Sequence, residues 1–110
     1  MGIPSTTPIS DLQIVTPSEL NDQLEQESLE ASYFGQIIDI ALEATGGSGT
    51  YTSWQIISGE APPDLALIKN GNNGKIIGTH MEDESYDWIF TIEVIDSESN
   101  TASKEFTLTL

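Results

Sequence analysis

From residue 35 onward the chain alternates apolar and polar side chains with a period of two, the repeat of a strand buried on one face. Ile38, Ile40, Leu42 and Ala44 share one face, while Asp39 and Glu43 share the other with Ile37 and Ala41. The strongest run sets Trp88, Phe90, Ile92 and Val94 inward and Asp87, Thr91 and Glu93 outward. A partner strand over 102–110 turns Phe106, Leu108 and Leu110 inward. Between these runs, Gly46-Gly47-Ser48-Gly49 turns the chain, because glycine takes positive φ freely. A strand over 51–57 stops at Pro62-Pro63, which cannot donate to a ladder. A short strand over 65–68 folds back through Asn70-Gly71-Asn72-Asn73-Gly74 onto 75–78, since Asn-Gly steps favour hairpin turns. Upstream, Leu12-Gln13-Ile14-Val15 predicts a first edge strand. Thr16-Pro17-Ser18-Glu19 then reads as a helix start, with Thr as N-cap, Pro at N1 and Glu at N3, and predicts a short helix near 17–26 stapled by Leu20 and Leu24. Residues 1–10 are rich in Ser, Thr and Pro and read as a flexible leader. Residues 11–110 then form a single all-β sandwich of about seven strands.

A chain of 110 residues supports one domain with one modest core. Its 18 Asp and Glu stand against three lysines (Lys69, Lys75, Lys104) and no arginine, for a formal charge of −15. Such a surface repels nucleic acid and anionic lipid, so neither a nucleic-acid partner nor membrane insertion is expected. The same excess suits divalent cations or high salt and so an extracellular or cell-surface setting; the plainer reading is a solubilised surface. Cysteine is absent, which removes disulfides, thiolate metal sites and cysteine nucleophiles. No apolar run approaches the roughly 18 residues of a membrane span. Met1-Gly2-Ile3-Pro4 lacks the regions of a signal peptide, so an exported protein would contain this chain as an excised module.

The order of elements from Leu29 to Leu110 resembles a family. Gly35 with Ile38, Gly46-Gly47, Tyr51 with Trp54, Ser58-Gly59-Glu60-Ala61-Pro62, Gly74-Lys75-Ile76-Ile77-Gly78-Thr79-His80 and the run Phe90-Thr91-Ile92-Glu93-Val94-Ile95-Asp96-Ser97 are similar to the motifs of cadherin-like, dystroglycan-type Ig-fold repeats in bacterial and archaeal surface proteins. There are departures. Ile38 replaces an aromatic, His80 stands where proline is usual, and Tyr86 lies near the place of a glycine. One extra residue separates Tyr51 from Trp54, and Ser53 is a natural place for a β-bulge. Residues 12–28 have no counterpart. The resemblance implies an Ig-like, cadherin-like Greek-key sandwich acting as a non-catalytic spacer or adhesion unit. Its partners would be neighbouring domains of the same polypeptide, other surface proteins or glycans.

Cadherins hold Ca²⁺ between consecutive repeats. By position, the resemblance implies Glu30, Glu82, Glu84 and Asp96 as its oxygen ligands here, and clustered carboxylates lose repulsion on binding such a cation. Against this, Gly46-Gly47-Ser48-Gly49 carries no carboxylate where cadherins have an Asp-x-Asp pair, and solvated surface acids explain the same residues. Asp96-Ser97-Glu98-Ser99-Asn100 offers oxygens in a tight loop, although Asp and Asn in turns usually bond their own backbone. His80 is the only histidine and no elbow or triad spacing accompanies it, so no enzyme and no zinc site is expected. Trp54 and Trp88 could stack on sugars, which gives the alternative of a carbohydrate-binding accessory domain of a secreted glycosidase. Their parity with Ile56 and Phe90 favours the core instead, and Tyr33, Phe34, Tyr51 and Tyr86 are less fixed. Ile37, Ile57, Ile77, Ile89 and Ile95 fall on outward parity, as a sticky sheet face would.

Overall fold

The computed structural model describes residues 11–24, 35–81 and 86–110. The leader, Glu30, Tyr33, Phe34, Glu82, Glu84 and the end of the expected helix lie outside them. The described residues form β1 (Gln13–Ile14), a 3-10 turn (Leu20–Gln23), β2 (Ile37–Leu42), β3 (Ala44–Thr45), β4 (Tyr51–Gly59), β5 (Leu65–Asn70), β6 (Asn73–Thr79), β7 (Asp87–Asp96) and β8 (Thr101–Thr109). The strands pair antiparallel as β1-β3, β2-β6-β5 and β4-β7-β8. Only Glu43 separates β2 from β3, so the first two groups continue one another as a single layer. The layers are therefore β1-β2/β3-β6-β5 against β4-β7-β8. That is the strand order of a constant-type Ig sandwich, in which strands 1, 2, 5 and 4 face strands 3, 6 and 7 when β2 and β3 count as one.

The alternating runs supply the core. Ile38, Ile40 and Leu42 of β2, Ile76 of β6, Phe90, Ile92 and Val94 of β7, and Phe106 and Leu108 of β8 are all buried. Each side chain withdrawn in this way contributes about 1.5–3 kcal/mol. On β4, Tyr51 pairs with Asp96 and Ser53 with Ile95, so Thr52 is the extra residue of a bulge. The bulge resets the pleat, and Tyr51 and Trp54, three residues apart, both enter the core. Beyond Trp54 the expected parity fails, because a second irregularity separates Ile56 from Ser58 and residues 55–59 are exposed, Ile56 included. Trp88, expected inward, is half buried, with its ring edge-on to Tyr86 at a centroid distance of 5.7 Å.

The expected helix over 17–26 is the main correction within the described residues. Thr16 does not cap a helix. Its hydroxyl accepts the Glu43 N–H at 2.8 Å, and the Val15 N–H donates to the Glu43 carbonyl at 2.9 Å. The chain stays extended and crosses to the other layer, where the Thr107 N–H donates to Ser18 O at 2.9 Å and Glu19 forms a parallel bridge with Thr107. Only then does the single turn Leu20–Gln23 form, with Leu20 fully buried. Two side-chain amides act as strand surrogates. Asn21 donates Nδ2 to Thr109 O at 2.6 Å and accepts the Thr109 N–H at 2.7 Å. Gln23 donates Nε2 to Ala41 O at 2.8 Å and accepts the Ala41 N–H at 2.9 Å. A helix of ten residues is marginal by itself, and here it would leave two sheet edges unpaired.

Candidate functional site

The turns after β3, β5 and β7 meet at one pole, together with the chain entry at Asp11. β7 ends by carrying Asp96 into this pole, where the residue is only 2% exposed. Its Oδ1 accepts the N–H groups of Glu98 at 2.9 Å and Asn100 at 2.8 Å. Its Oδ2 accepts the Ser48 N–H at 2.8 Å and the Asn100 side-chain amide at 2.9 Å. Burial works to raise its pKa, but the Asn100 amide and the backbone N–H groups of Ser48, Asn100 and Glu98 outweigh it and hold the carboxyl below its usual range. Gly47 makes this approach feasible: its φ is +60°, and a Cβ there would lie 2.3 Å from Asp96 Oδ2. Asp11 Oδ1 accepts the Gly47 N–H at 2.9 Å, and the Tyr51 hydroxyl donates to Gly46 O at 3.1 Å.

Asn72, in the β5–β6 turn, ties that hairpin to the same pole. Its Oδ1 accepts the Tyr51 N–H at 2.7 Å, its Nδ2 donates to Gly49 O at 2.9 Å, and its carbonyl accepts Trp54 Nε1 at 3.3 Å. These polar groups close the pole on itself. Each Asp96 oxygen already accepts two N–H donors, so in the described structure the residue joins the β3–β4 and β7–β8 turns. Glu30, Glu82 and Glu84, the other carboxylates assigned to Ca²⁺, lie outside the described residues. Among the described residues, no group of three His, Asp or Glu converges to hold a metal.

His80 is buried, and its backbone extends the β2–β6 pairing, donating to Gln36 O at 3.0 Å and accepting the Gly35 N–H at 2.6 Å. Among the described residues its Nδ1 has no partner. Tyr51 and Trp54 are core residues, as parity argued for the tryptophan. Tyr86, 45% exposed, borders an open groove of about 450 Å³ with Glu60, Asp87, Trp88 and Ile89. The Tyr86 and Trp88 rings meet at 66°, so they do not make a flat platform.

The register sorts the outward isoleucines, which parity alone placed together. Asp39 pairs with Ile77 and Ile77 with Ala66; Ala41 pairs with Lys75 and Lys75 with Ile68. Residues directly opposite share a face, so Ile77 lies on the outer face of β2-β6-β5, and Ile37 shares it by strand alternation. Ile89 and Ile95 lie instead on the outer face of β4-β7-β8, among Asp87, Glu93 and Glu105. Lys75 pairs with Asp39 at 3.2 Å in the middle of the first face.

Among the described residues no helix is long and apolar enough to cross a membrane. Comparison with family profiles, curated proteins and solved structures found no match.

Proposed function

We propose that this chain is a non-catalytic Ig-like, cadherin-like module of a larger secreted or cell-surface protein, serving as a spacer or adhesion unit. The path of the chain carries the reading. Asp11 lies at the closed pole, against Gly47, whereas Leu110 pairs with Tyr86 at the other end of β7. The ten residues of β7 make that separation about 30 Å. Tension applied through the two ends would run along the sandwich. It would load the Ser18–Thr107 contact lengthwise, together with the amide bridges of Asn21 and Gln23. Ca²⁺ at joints between modules belongs to this proposal through Glu30, Glu82, Glu84 and Asp96, the last of which accepts N–H donors at its own pole in the described structure.

Force spectroscopy on a polyprotein of the 110-residue chain tests it. A load-bearing module unfolds in discrete steps, each adding roughly 300 Å of contour as residues 11–110 extend. Smooth extension without steps would sink the spacer reading. A second reading, the carbohydrate-binding accessory domain, draws on the groove beside Tyr86, where Glu60 and Asp87 offer acceptors to hydroxyls. It requires a glycan-dependent change in tryptophan fluorescence that disappears in Tyr86→Ala.

A further inference from the structure

We propose that Asn70 is a self-modification site, at which the Gly71 backbone nitrogen closes a succinimide ring and water then leaves aspartate or isoaspartate in the hairpin. The chain has two Asn-Gly steps, Asn70-Gly71 and Asn73-Gly74, and both lie in the β5–β6 hairpin with Asn72 between them. Such steps favour this reaction, because glycine has no side chain to obstruct attack on the preceding amide and leaves the backbone free to turn. The fold separates the two. Asn70 pairs with Asn73 around the two-residue turn Gly71-Asn72, where Gly71 has φ +63° and Asn72 is not at positive φ, which makes a type II′ turn. The Gly71 N–H, first in that turn, lies outside the ladder, and Asn70 and Gly71 are both exposed. Antiparallel pairs alternate between bonded and open, so with Asn70 and Asn73 bonded the Gly74 N–H turns away from Lys69 toward Leu42. The other end of the same ladder agrees: the His80 N–H donates to Gln36 O at 3.0 Å, and counting in twos from that pair makes Leu42 and Gly74 a bonded pair as well. Gly74 is also buried, and a Cβ there would lie 2.7 Å from the Trp54 ring, so a ring has no room to close on its nitrogen. Asn72 is restrained twice. Tyr51 N–H and Gly49 O hold its side chain, and the N–H that follows it closes the turn.

Water is the only co-reactant. Gly71 N bonds to Asn70 Cγ, the Cγ–Nδ2 bond breaks, and ammonia leaves with the proton that the nitrogen gave up. Water then opens the ring at Cγ, which leaves isoaspartate's isomer aspartate only if the other acyl bond is kept, or at the backbone carbon, which routes the main chain through Cγ as isoaspartate. The Lys69 ammonium donates to Gly71 O, beside the reacting peptide, and favours the negative charge that develops as the nitrogen loses its proton. Isoaspartate adds one carbon to the backbone where β5 meets a turn built for two residues. That turn carries Asn72, which holds Tyr51 N–H, Gly49 O and Trp54 Nε1, so conversion loosens the grip of the hairpin on the closed pole. The change is slow and runs one way. This inference goes beyond the end-to-end spacer reading and does not depend on it.

Incubation of the whole folded chain at pH 8, followed by peptide mass spectrometry, is the test. Trypsin cuts after Lys69 and Lys75, so the single peptide Asn70–Lys75 reports all three asparagines, and fragmentation assigns the amide-to-acid change to one of them. Asn70 should convert at least tenfold faster than Asn73 or Asn72 in the folded chain, since the other two wait for the hairpin to open. In urea, where no ladder protects Gly74, the two Asn-Gly steps should react within about twofold of each other. Lys69→Gln should slow Asn70 severalfold. The isoaspartate fraction, separated by anion exchange, should unfold at a lower urea midpoint than fresh protein. Asn70→Asp, which adds the charge without the extra backbone carbon, should stay near wild type. Asn70→Gln should keep the fresh midpoint throughout incubation. Conversion at Asn73 as fast as at Asn70 in the folded chain overturns the proposal, and so does an Asn70 that reacts no faster than Asn72. An isoaspartate fraction with the midpoint of fresh protein overturns the loosening of the pole, and an unchanged rate in Lys69→Gln overturns the part given to its ammonium.

Discussion

Asn21 gives the sharpest test of how the first segment is held. Its side-chain amide stands where a neighbouring strand would, closing both backbone groups of Thr109 at 2.6 and 2.7 Å. A typical intramolecular hydrogen bond contributes about 1 kcal/mol net, so Asn21→Ala should cost about 2 kcal/mol. For a domain of this size that lowers the midpoint by roughly 10 °C. Asn21→Asp is nearly isosteric and more telling. One oxygen still accepts the Thr109 N–H, but the other replaces the donor that faced the Thr109 carbonyl, so one bond becomes a repulsion. The expected loss at pH 7 is about 2–3 kcal/mol. The folded state disfavours the introduced anion, so its folded pKa lies above the usual value of about 3.9. The extra loss is then absent below about pH 4, where the protonated acid can donate, and grows as pH rises through the folded value. Urea unfolding followed by tryptophan fluorescence measures each step, with exposed Asp22→Ala as a control expected within about 0.5 kcal/mol of wild type. An Asn21→Ala change as small as the control, or an Asn21→Asp deficit that stays flat from pH 7 to pH 3, would refute the surrogate-strand account.

Further outcomes follow from the closed pole and the core. Gly47→Ala puts a side chain at φ +60° and 2.3 Å from Asp96 Oδ2. The backbone penalty alone is about 1–2 kcal/mol, so the urea midpoint should fall by at least that equivalent; an unchanged midpoint would contradict the geometry. Gly74→Ala drives a Cβ to 2.7 Å from the Trp54 ring, and the expected loss of about 1–3 kcal/mol should come with a shifted tryptophan emission maximum. Because the Asp96 carboxyl is held below its usual range, its stabilisation is complete above the ordinary Asp pKa and is lost as pH falls through the lower folded value. Asp96→Asn should remove that part of the acid-side slope in the unfolding midpoint, and an unchanged slope would count against the assignment.

Where local rules and the tertiary fold agree, the sequence was legible. The runs ending at Leu42, Asp96 and Thr109 needed only a period of two, and Asn70-Gly71-Asn72-Asn73 needed only hairpin chemistry. The bulge was expected at Ser53 and lies at Thr52, which is why Tyr51 and Trp54 can both be core residues. The stretch from Thr16 to Gln23 was misread because its local signals are those of a helix start, whereas its partners are Glu43, Ala41, Thr107 and Thr109. Nothing within a turn's length reports those contacts. The isoleucines were misgrouped for a related reason: parity shows which way a side chain points from its own strand, and pairing shows to which sheet that strand belongs. For Asp96, the habit of Asp in tight turns to bond nearby backbone is what the described structure displays, with Gly47 as the added signal, since only a residue without a side chain admits the carboxylate so closely.

The bridge between Asn21 and Thr109 also sets an order of events. Its partners are 88 residues apart, so the contact cannot form until nearly the whole domain has left the ribosome. Until then Leu20 has no finished layer to enter, and the edge of β8 that it helps to close does not exist. A chain synthesised from its N-terminus can pair its first segment early with Ala41 and Glu43, but must leave the Asn21 amide open while the hairpins behind it assemble. Pairings of such long range make for slow folding, on the millisecond-to-second scale, and the closing step comes last. During synthesis the window of vulnerability to aggregation thus ends not when the core forms but when residue 109 emerges and finds residue 21 waiting.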